Sequence, residues 1–388
     1  KLSEKARRQL PFLGLFSERV YKYWFSIFFI NPDSEAGDAY RTVLGENITP
    51  NDWEQIFNEA TEAGLLEHLG SNIYKIHPAL PWYLCQRLND KSTEAAILEL
   101  KKKLLLFYAA LAENYDKELI SNAESTNLML QIEEPNFLLN LNLAEQQHDW
   151  RIAQSILTLL GEVYKRWGRK LEFKSLKQRT LKQLGKSLKE VKNKGDTAFD
   201  LWMYLRNNEA NEALATHDLE KAKEIYQEIL DELIDLNNII SVDDGIATLN
   251  NNLAGIFVGL QDFDTAVIHY QKALDIRNIS GDLHRAAGIY LNLGKVRQFQ
   301  RKFTEAIDYS HKALKIYEDA QDTYKTADVY HQLAEIAREQ RQVSKAIVYS
   351  ETASNIYENL GDLNKAASAY HEIGNVRYLQ GQFEEAVK

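Results

Sequence analysis

The stretch YLNLGKVRQFQRKFTEAIDYSHKALKIY, residues 290–317, reads as two amphipathic helices joined by a tight turn near Gln300-Arg301. Its landmarks recur. Ala306 has counterparts at Ala266, Ala346 and Ala386, forty residues apart. Gly294, twelve residues earlier, has counterparts at Ala254, Ala334 and Gly374. Ala313 matches Ala273 and Ala353, and Phe303 matches Phe263, Val343 and Phe383. Four columns in one register mean that a single structural unit was copied. Such a unit cannot bury its apolar face alone, so it stacks on its neighbours and presents an extended surface.

Within each unit the first helix carries a stripe such as Leu253, Phe257 and Leu260, and the second carries Ala266, Tyr270, Ala273, Leu274 and Ile276. Small residues at 254 and 266 let the paired helices approach closely, because a larger side chain would wedge them apart. Gly281-Asp282 and Gly361-Asp362 predict turns, with glycine at positive φ and aspartate capping the next helix. These columns resemble the tetratricopeptide repeat in a forty-residue form, over about residues 244–388. A looser unit with Ala210, Ala222, Tyr226 and Ile229 precedes them, so the repeat region is expected to span 201–388. The resemblance implies an α-solenoid whose first helices line a groove for a protein or peptide ligand. By register, Asn252, Asn292, Gln332 and Glu372 form one groove column, and Gly255, Lys295, Glu335 and Asn375 another. Gln298, His331, Arg338 and His371 stand beside them. Amides and charges so placed suit an extended peptide backbone; the alternative is a solvated helix face.

Residues 1–90 have a different grammar. In ENITPNDWEQIF (46–57), Thr49 is a predicted N-cap, Pro50 the first helical residue and Asp52 the capping-box partner, with Ile48 packing on Trp53. LLEHLGSNIYKIH (65–77) predicts a β-hairpin around Gly70-Ser71-Asn72, and Pro78 a helix through Leu88. Two earlier helices are expected around 17–30 and 35–44. Three helices and then a hairpin is the order of a winged helix. Its third helix carries Asp52, Glu54, Glu59 and Glu62, and no lysine or arginine lies between Arg41 and Lys75. Phosphate would repel that helix, which argues against nucleic acid as a partner.

LPFLGLFSERV (10–20) and EAGLLEHLGSNIYKIHPALPWYL (62–84) resemble the winged-helix subdomain of signal-transducing NTPases with numerous domains, the NB-ARC and NACHT class, in the bacterial form that ends in tetratricopeptide repeats. In NB-ARC proteins a Met-His-Asp motif at this junction contacts the β-phosphate of ADP. Ile76-His77-Pro78 takes its place here, so the resemblance implies His77 as the phosphate contact. Pro78 leaves the aspartate's role unfilled. It also implies ADP or ATP as cofactor of an intact protein, and an upstream nucleotide-binding domain of the same protein as a partner. The chain has no Walker A sequence: Gly185-Lys186-Ser187 follows Thr180 where glycine is required. It starts on lysine and stops mid-repeat at Lys388, so it reads as a piece of a longer protein.

Residues 91–200 read as a helical linker domain, and IEEPNFLLNLNLAEQQHDWRIAQSILTLLGEVYKRWGRKLEF (132–173) resembles the connecting segment of the same proteins. Trp150, Ala153, Ile156 and Leu160 fall on one helical face, and Gly168 predicts a stop. Residues 165–194 hold twelve basic residues against Glu172 and Glu190, within a chain of net charge −10. Leu181, Leu184, Leu188 and Val191 predict one amphipathic helix there, displaying Lys182, Lys186, Lys189 and Lys192. It is either a dock for an acidic partner or a solvated face.

The whole is expected to be all-α with one small hairpin. The single cysteine, Cys85, fits a reducing, cytoplasmic setting, and the longest aromatic run, Tyr21–Ile30, is too short and too polar to span a membrane. No catalytic constellation and no metal-ligand spacing are visible, so the chain itself is not expected to be an enzyme. The best reading is the regulatory and sensor half of such an NTPase. The rivals are a plain interaction scaffold and a winged-helix transcription regulator.

Overall fold

The computed structural model describes residues 1–25, 34–45, 48–121, 123–185, 187–237 and 242–386. It divides into two compact units, Lys1–Leu205 and Arg206–Lys388.

The first unit begins with α1 (Glu4–Gln9), a 3-10 helix (Leu10–Leu15), strand β1 (Arg19–Tyr21) and one helical turn, α2 (Lys22–Trp24). Then come α3 (Glu35–Leu44), α4 (Pro50–Glu62), the hairpin β2 (Leu66–Gly70) and β3 (Ile73–Ile76), and α5 (Leu80–Asn89). The capping box of α4 forms as the sequence predicts: the Thr49 hydroxyl accepts from Asp52 N–H, and the Asp52 carboxylate accepts from Thr49 N–H. Lys5 donates to the same carboxylate at 2.5 Å. That bond, followed by those from the Thr49 N–H and hydroxyl, holds the Asp52 pKa down to about 2. Ser71 and Asn72 both adopt positive φ, 48° and 66°, as a two-residue hairpin loop with right-handed strand twist requires.

The helix expected over 17–30 is, among the described residues, replaced at Arg19–Tyr21 by a strand and kept as the single turn α2. Arg19–Tyr21 pairs antiparallel with β3, giving a three-stranded sheet of order β1-β3-β2, with Arg19 opposite Lys75 and Tyr21 opposite Ile73. Val20 alone of the three is buried, the alternation of a strand rather than a helix. Residues 26–30 of that expected helix lie outside the described residues. Phe12, Phe16, Phe25, Trp53 and Phe57 fill the space beneath with edge-on and stacked ring contacts. The last helix of the module begins at Leu80 rather than at Pro78, because His77 C=O first closes a turn by accepting from Leu80 N–H.

The unit continues with α6 (Glu94–Ser121), α7 (Ala123–Gln147), α8 (Trp150–Arg166), α9 (Lys170–Leu184) and α10 (Leu188–Asn193). Trp150, Ala153, Ile156 and Leu160 are all buried, and Gly168 ends α8 at φ +72°. Buried polar groups tie these helices to the strands. Asn136 Nδ2 donates to Arg19 C=O at 2.9 Å, and Ser17 N–H donates to Asn136 Oδ1 at 2.8 Å. Glu133, fully buried, accepts from Tyr108 Oη, Asn136 Nδ2 and Trp24 Nε1. Burial pushes its carboxyl above the usual carboxylate range. Residues 1–90 and 91–200 thus share one packed unit.

The basic stretch is not one amphipathic helix. Gly185, at φ +144°, ends α9, and Ser187 caps α10 through Glu190 N–H. Leu184, Leu188 and Val191 still reach the core from both sides of the break. Much of the charge is consumed locally. Arg169 pairs with Glu134 and Glu172, Arg179 with the buried Glu145, and Lys192 with Asp196. Lys177 lies buried over the Phe173 ring, and Lys194 donates to Gln183 C=O. Lys186 lies outside the described residues.

The second unit starts within α11 (Asp196–Ala215) and runs as α12 (Leu219–Asn237), α13 (Asp243–Gly259), α14 (Phe263–Ser280), α15 (Leu283–Phe299), α16 (Phe303–Asp319), α17 (Thr323–Glu339), α18 (Val343–Asn359), α19 (Leu363–Leu379) and α20 (Phe383–Ala386). The small residues do as their spacing requires. Ala254, Ala266, Ala306, Ala334 and Ala346 are buried, and a Cβ added to Gly294 would fall 3.1 Å from Ser310 Oγ and 3.3 Å from Ala306 O. Between repeats the chain turns through a left-handed residue at Gly281, Gln321 and Gly361, with φ of 74°, 56° and 78°. Asp282, Asp322 and Asp362 then cap α15, α17 and α19.

Candidate functional site

Each helix of the array packs on its sequence neighbours, and α17 also touches α15 and α19. The first helices of successive repeats therefore form a row, and its side chains are the candidate ligand-binding face. Polar groups along the row meet at spacings of 34 or 41 residues. Asn292 Nδ2 donates to Asn251 Oδ1 at 3.4 Å. Gln332 Nε2 donates to Leu291 C=O at 3.2 Å. Gln298 Nε2 donates to Glu339 Oε1 at 2.8 Å, and Arg338 Nε to Glu372 Oε2 at 2.6 Å. The row is a seam in which a side chain of one repeat closes onto the next.

The seam corrects part of the expected groove lining. Gln332 is 1% exposed and Gln298 7%, so neither presents its amide to a ligand. The cause is the glycine at 294. Lacking a side chain, it lets Gln332 Nε2 come within 2.9 Å of where a Cβ would stand, and the amide is covered. Asn252, Asn292, His331, Arg338 and Asn375 are half-buried, and Lys295 and His371 are exposed. Asn252 is further engaged by the Tyr226 hydroxyl.

The accessible residues surround a mixed charge cluster. Glu335 lies among Lys295, His331, Arg338 and Glu372. Burial raises its pKa and Glu372 adds to the rise, while the three basic neighbours oppose it. His331 Nε2 is 3.6 Å from Glu335 Oε1 and is itself half-buried. Sequence reasoning named Glu335 and Glu372 but missed Asn251 and Glu339. The signal was available: each stands forty-one residues from a residue already in the columns.

At the other expected site, His77 is exposed at the end of β3. Its N–H donates to Leu65 C=O, and its Nδ1 accepts from Ala79 N–H at 3.3 Å. The ring proton is thereby assigned to Nε2. Cys85 is half-buried on α5, against the backbone of Gly14. Among the described residues no group of three or more His, Cys, Asp or Glu is placed to hold a metal ion, and no helix is long and apolar enough to cross a membrane.

The tetratricopeptide repeat family model matches residues 245–319 and 325–388. No curated protein matches the chain. Several solved structures are similar. BtubC from P. vanneervenii is 22% identical, with 55% of this chain and 84% of that chain covered and a TM-score of 0.47. Aspartyl phosphate phosphatase F from Bacillus subtilis is 12% identical, with 91% and 92% covered and a TM-score of 0.48. A signal transduction ATPase with numerous domains with a tetratricopeptide repeat sensor, from Pyrococcus horikoshii, is 16% identical, with 99% and 56% covered and a TM-score of 0.43. At these scores none of them bears on function. Sequence columns, helical pairs and family match agree on the array: residues 245–319 and 325–388 are tetratricopeptide repeats.

Proposed function

We propose that this chain is the regulatory and sensor portion of a signal-transducing NTPase of the numerous-domains class. The repeats take a protein or peptide trigger, and the N-terminal module, read as a winged helix, restrains a nucleotide-binding domain of the same protein in the cytoplasm. The observation that carries the sensing role is the row of first helices, where Lys295 and His371 are exposed and the half-buried His331 and Arg338 stand with Lys295 around Glu335. A ligand bridging two repeats there would favour one spacing of the seam over another. It would shift a conformational equilibrium only by its difference in affinity for the two.

The restraining role rests on the resemblance around Ile76-His77-Pro78 and on the exposure of His77. With Nδ1 committed to Ala79 N–H, its Nε2–H is the one donor it has to offer a phosphate oxygen of ADP. In the intact protein, His77→Ala is expected to raise basal signalling and speed ADP release. Unchanged signalling with unchanged ADP retention would leave the plain scaffold as the better reading. The DNA-binding alternative is not favoured. Lys5 and Lys22 offset Asp52 and Glu54, but Glu59 and the exposed Glu62 keep α4, which carries no lysine or arginine, acidic.

A further inference from the structure

A cleft of about 920 Å³ opens beside α1, the end of α3 and α5. Its floor is apolar, with Leu10, Leu44 and Leu84 among its residues. Four cations line it, Arg7, Arg8, Arg87 and Lys91, against one carboxylate, Glu4. This is a concentrated positive site in a chain of net charge −10.

Neutral acceptors hold Arg7, Arg87 and Lys91 in place. Arg7 donates through Nε and Nη2 to Leu2 C=O at 3.0 and 2.9 Å. Arg8 donates through Nε to Leu44 C=O at 3.1 Å. Lys91 donates to Arg8 C=O at 2.9 Å and to Arg7 C=O at 3.4 Å. Arg87 donates through Nε to the Tyr83 hydroxyl at 3.0 Å and keeps both Nη groups for another acceptor. Burial lowers the Lys91 pKa, and the positive charges of Arg8 and Arg87 lower it further, so Lys91 stands close enough to both to be repelled. A side chain already fixed through one nitrogen, as Arg87 is, loses little freedom on binding, and a guanidinium fork matches phosphate oxygens.

We infer that this cleft is a binding site for a small phosphate ester: the phosphate seats at Arg87 and Lys91, and an apolar body lies against the leucines. The volume fits, since ligand sites of this kind span roughly 300–1,000 Å³. An acidic peptide is the competing occupant. Arg87's unused Nη groups, which match phosphate oxygens, favour the phosphate ester. The inference does not rest on the NTPase reading.

Isothermal titration of the chain with inorganic phosphate and with octyl phosphate, below its micelle concentration, tests it. Octyl phosphate is expected to bind about tenfold or more tightly than inorganic phosphate, since several methylenes leave water. Arg87→Ala with Lys91→Ala should weaken octyl phosphate about tenfold or more. Lys170→Ala with Lys174→Ala, an equal loss of charge elsewhere, should change nothing. Arg87→Lys with Lys91→Arg should retain saturable binding, which guards against a folding defect. Equal affinity for the two phosphates, equal loss in both double-alanine variants, loss in the charge-preserving variant, or no saturable octyl phosphate binding would overturn the site. So would saturable binding of an acidic Glu-Leu peptide without any of the phosphates.

Discussion

The two units solve the same packing problem in opposite ways. In 206–388 contacts recur with the repeat: small residue against the backbone twelve residues on, at Gly294 and Gly374, and aspartate on helix start three residues on, at Asp282, Asp322 and Asp362. In 1–205 each important contact occurs once and joins distant parts of the chain. Asn136 reaches Arg19, 117 residues away, and Glu133 reaches Trp24, 109 residues away. Repetition distributes stability over many modest joints, whereas the first unit concentrates it in a few buried polar nodes.

The sharpest way to break that contrast is at Glu133. Replacement by alanine leaves Tyr108 Oη and Asn136 Nδ2 short of an acceptor and opens a cavity, with an expected cost of roughly 3–5 kcal/mol. Denaturant unfolding should show the first unit melting early while the array's transition stays put. A shared shift of both transitions would deny the two units their separate behaviour.

In the array the corresponding blow is Gly294→Leu. Its side chain must displace Gln332, Ser310 and the Ala306 carbonyl, for about 3 kcal/mol. At Gly288, in the same helix, an added Cβ would meet only Tyr317 Oη, at 3.5 Å, so Gly288→Ala is expected to be neutral or to stabilise by up to about 1 kcal/mol. Thermal melts of the pair measure whether the seam, rather than helix propensity, decides.

A smaller effect is expected from Asp52→Ala, about 1 kcal/mol, since it removes a helix cap at an accessible position. The folded pKa of Asp52, about 2, lies below its unfolded value of 3.8. The carboxylate's contribution is therefore complete above pH 4 and disappears as the pH falls toward 2. Acid titration of the wild type against the variant should show the difference closing over that window; a difference that persists at pH 2 would mean the cap acts through something other than its charge.

The same contrast explains what could be read from the residues alone. The array was legible because its contacts obey a spacing: twelve residues place Ala306 against Gly294, a forty-residue period restores the pair at Gly374 and Ala386 two copies on, and Gly281-Asp282 announces its own turn. The α4 cap was legible because Thr49 and Asp52 are three residues apart. Strand β1 was not, because Arg19–Tyr21 becomes a strand only by finding β3 more than fifty residues later, and an aromatic run carries no record of that partner. The break at Gly185 was hidden for a related reason. Leu184 and Leu188 keep helical spacing across it, and only the backbone, at φ +144°, reveals the interruption. Of the groove, register found the right helices. It failed to tell Gln298 and Gln332, which close the seam, from Lys295 and His371, which face outward, since depth depends on the neighbour's side chain.

The neighbour-only wiring of the seam also bears on how such a protein changes over generations. Gln332 needs a carbonyl one period behind it and a small residue beside that carbonyl, and each well-formed unit supplies an equivalent pair of positions. An in-frame duplication or excision of forty codons would join surfaces that already fit. The number of units, and with it the length of polypeptide the array can span, is thus adjustable by recombination without redesign of any interior.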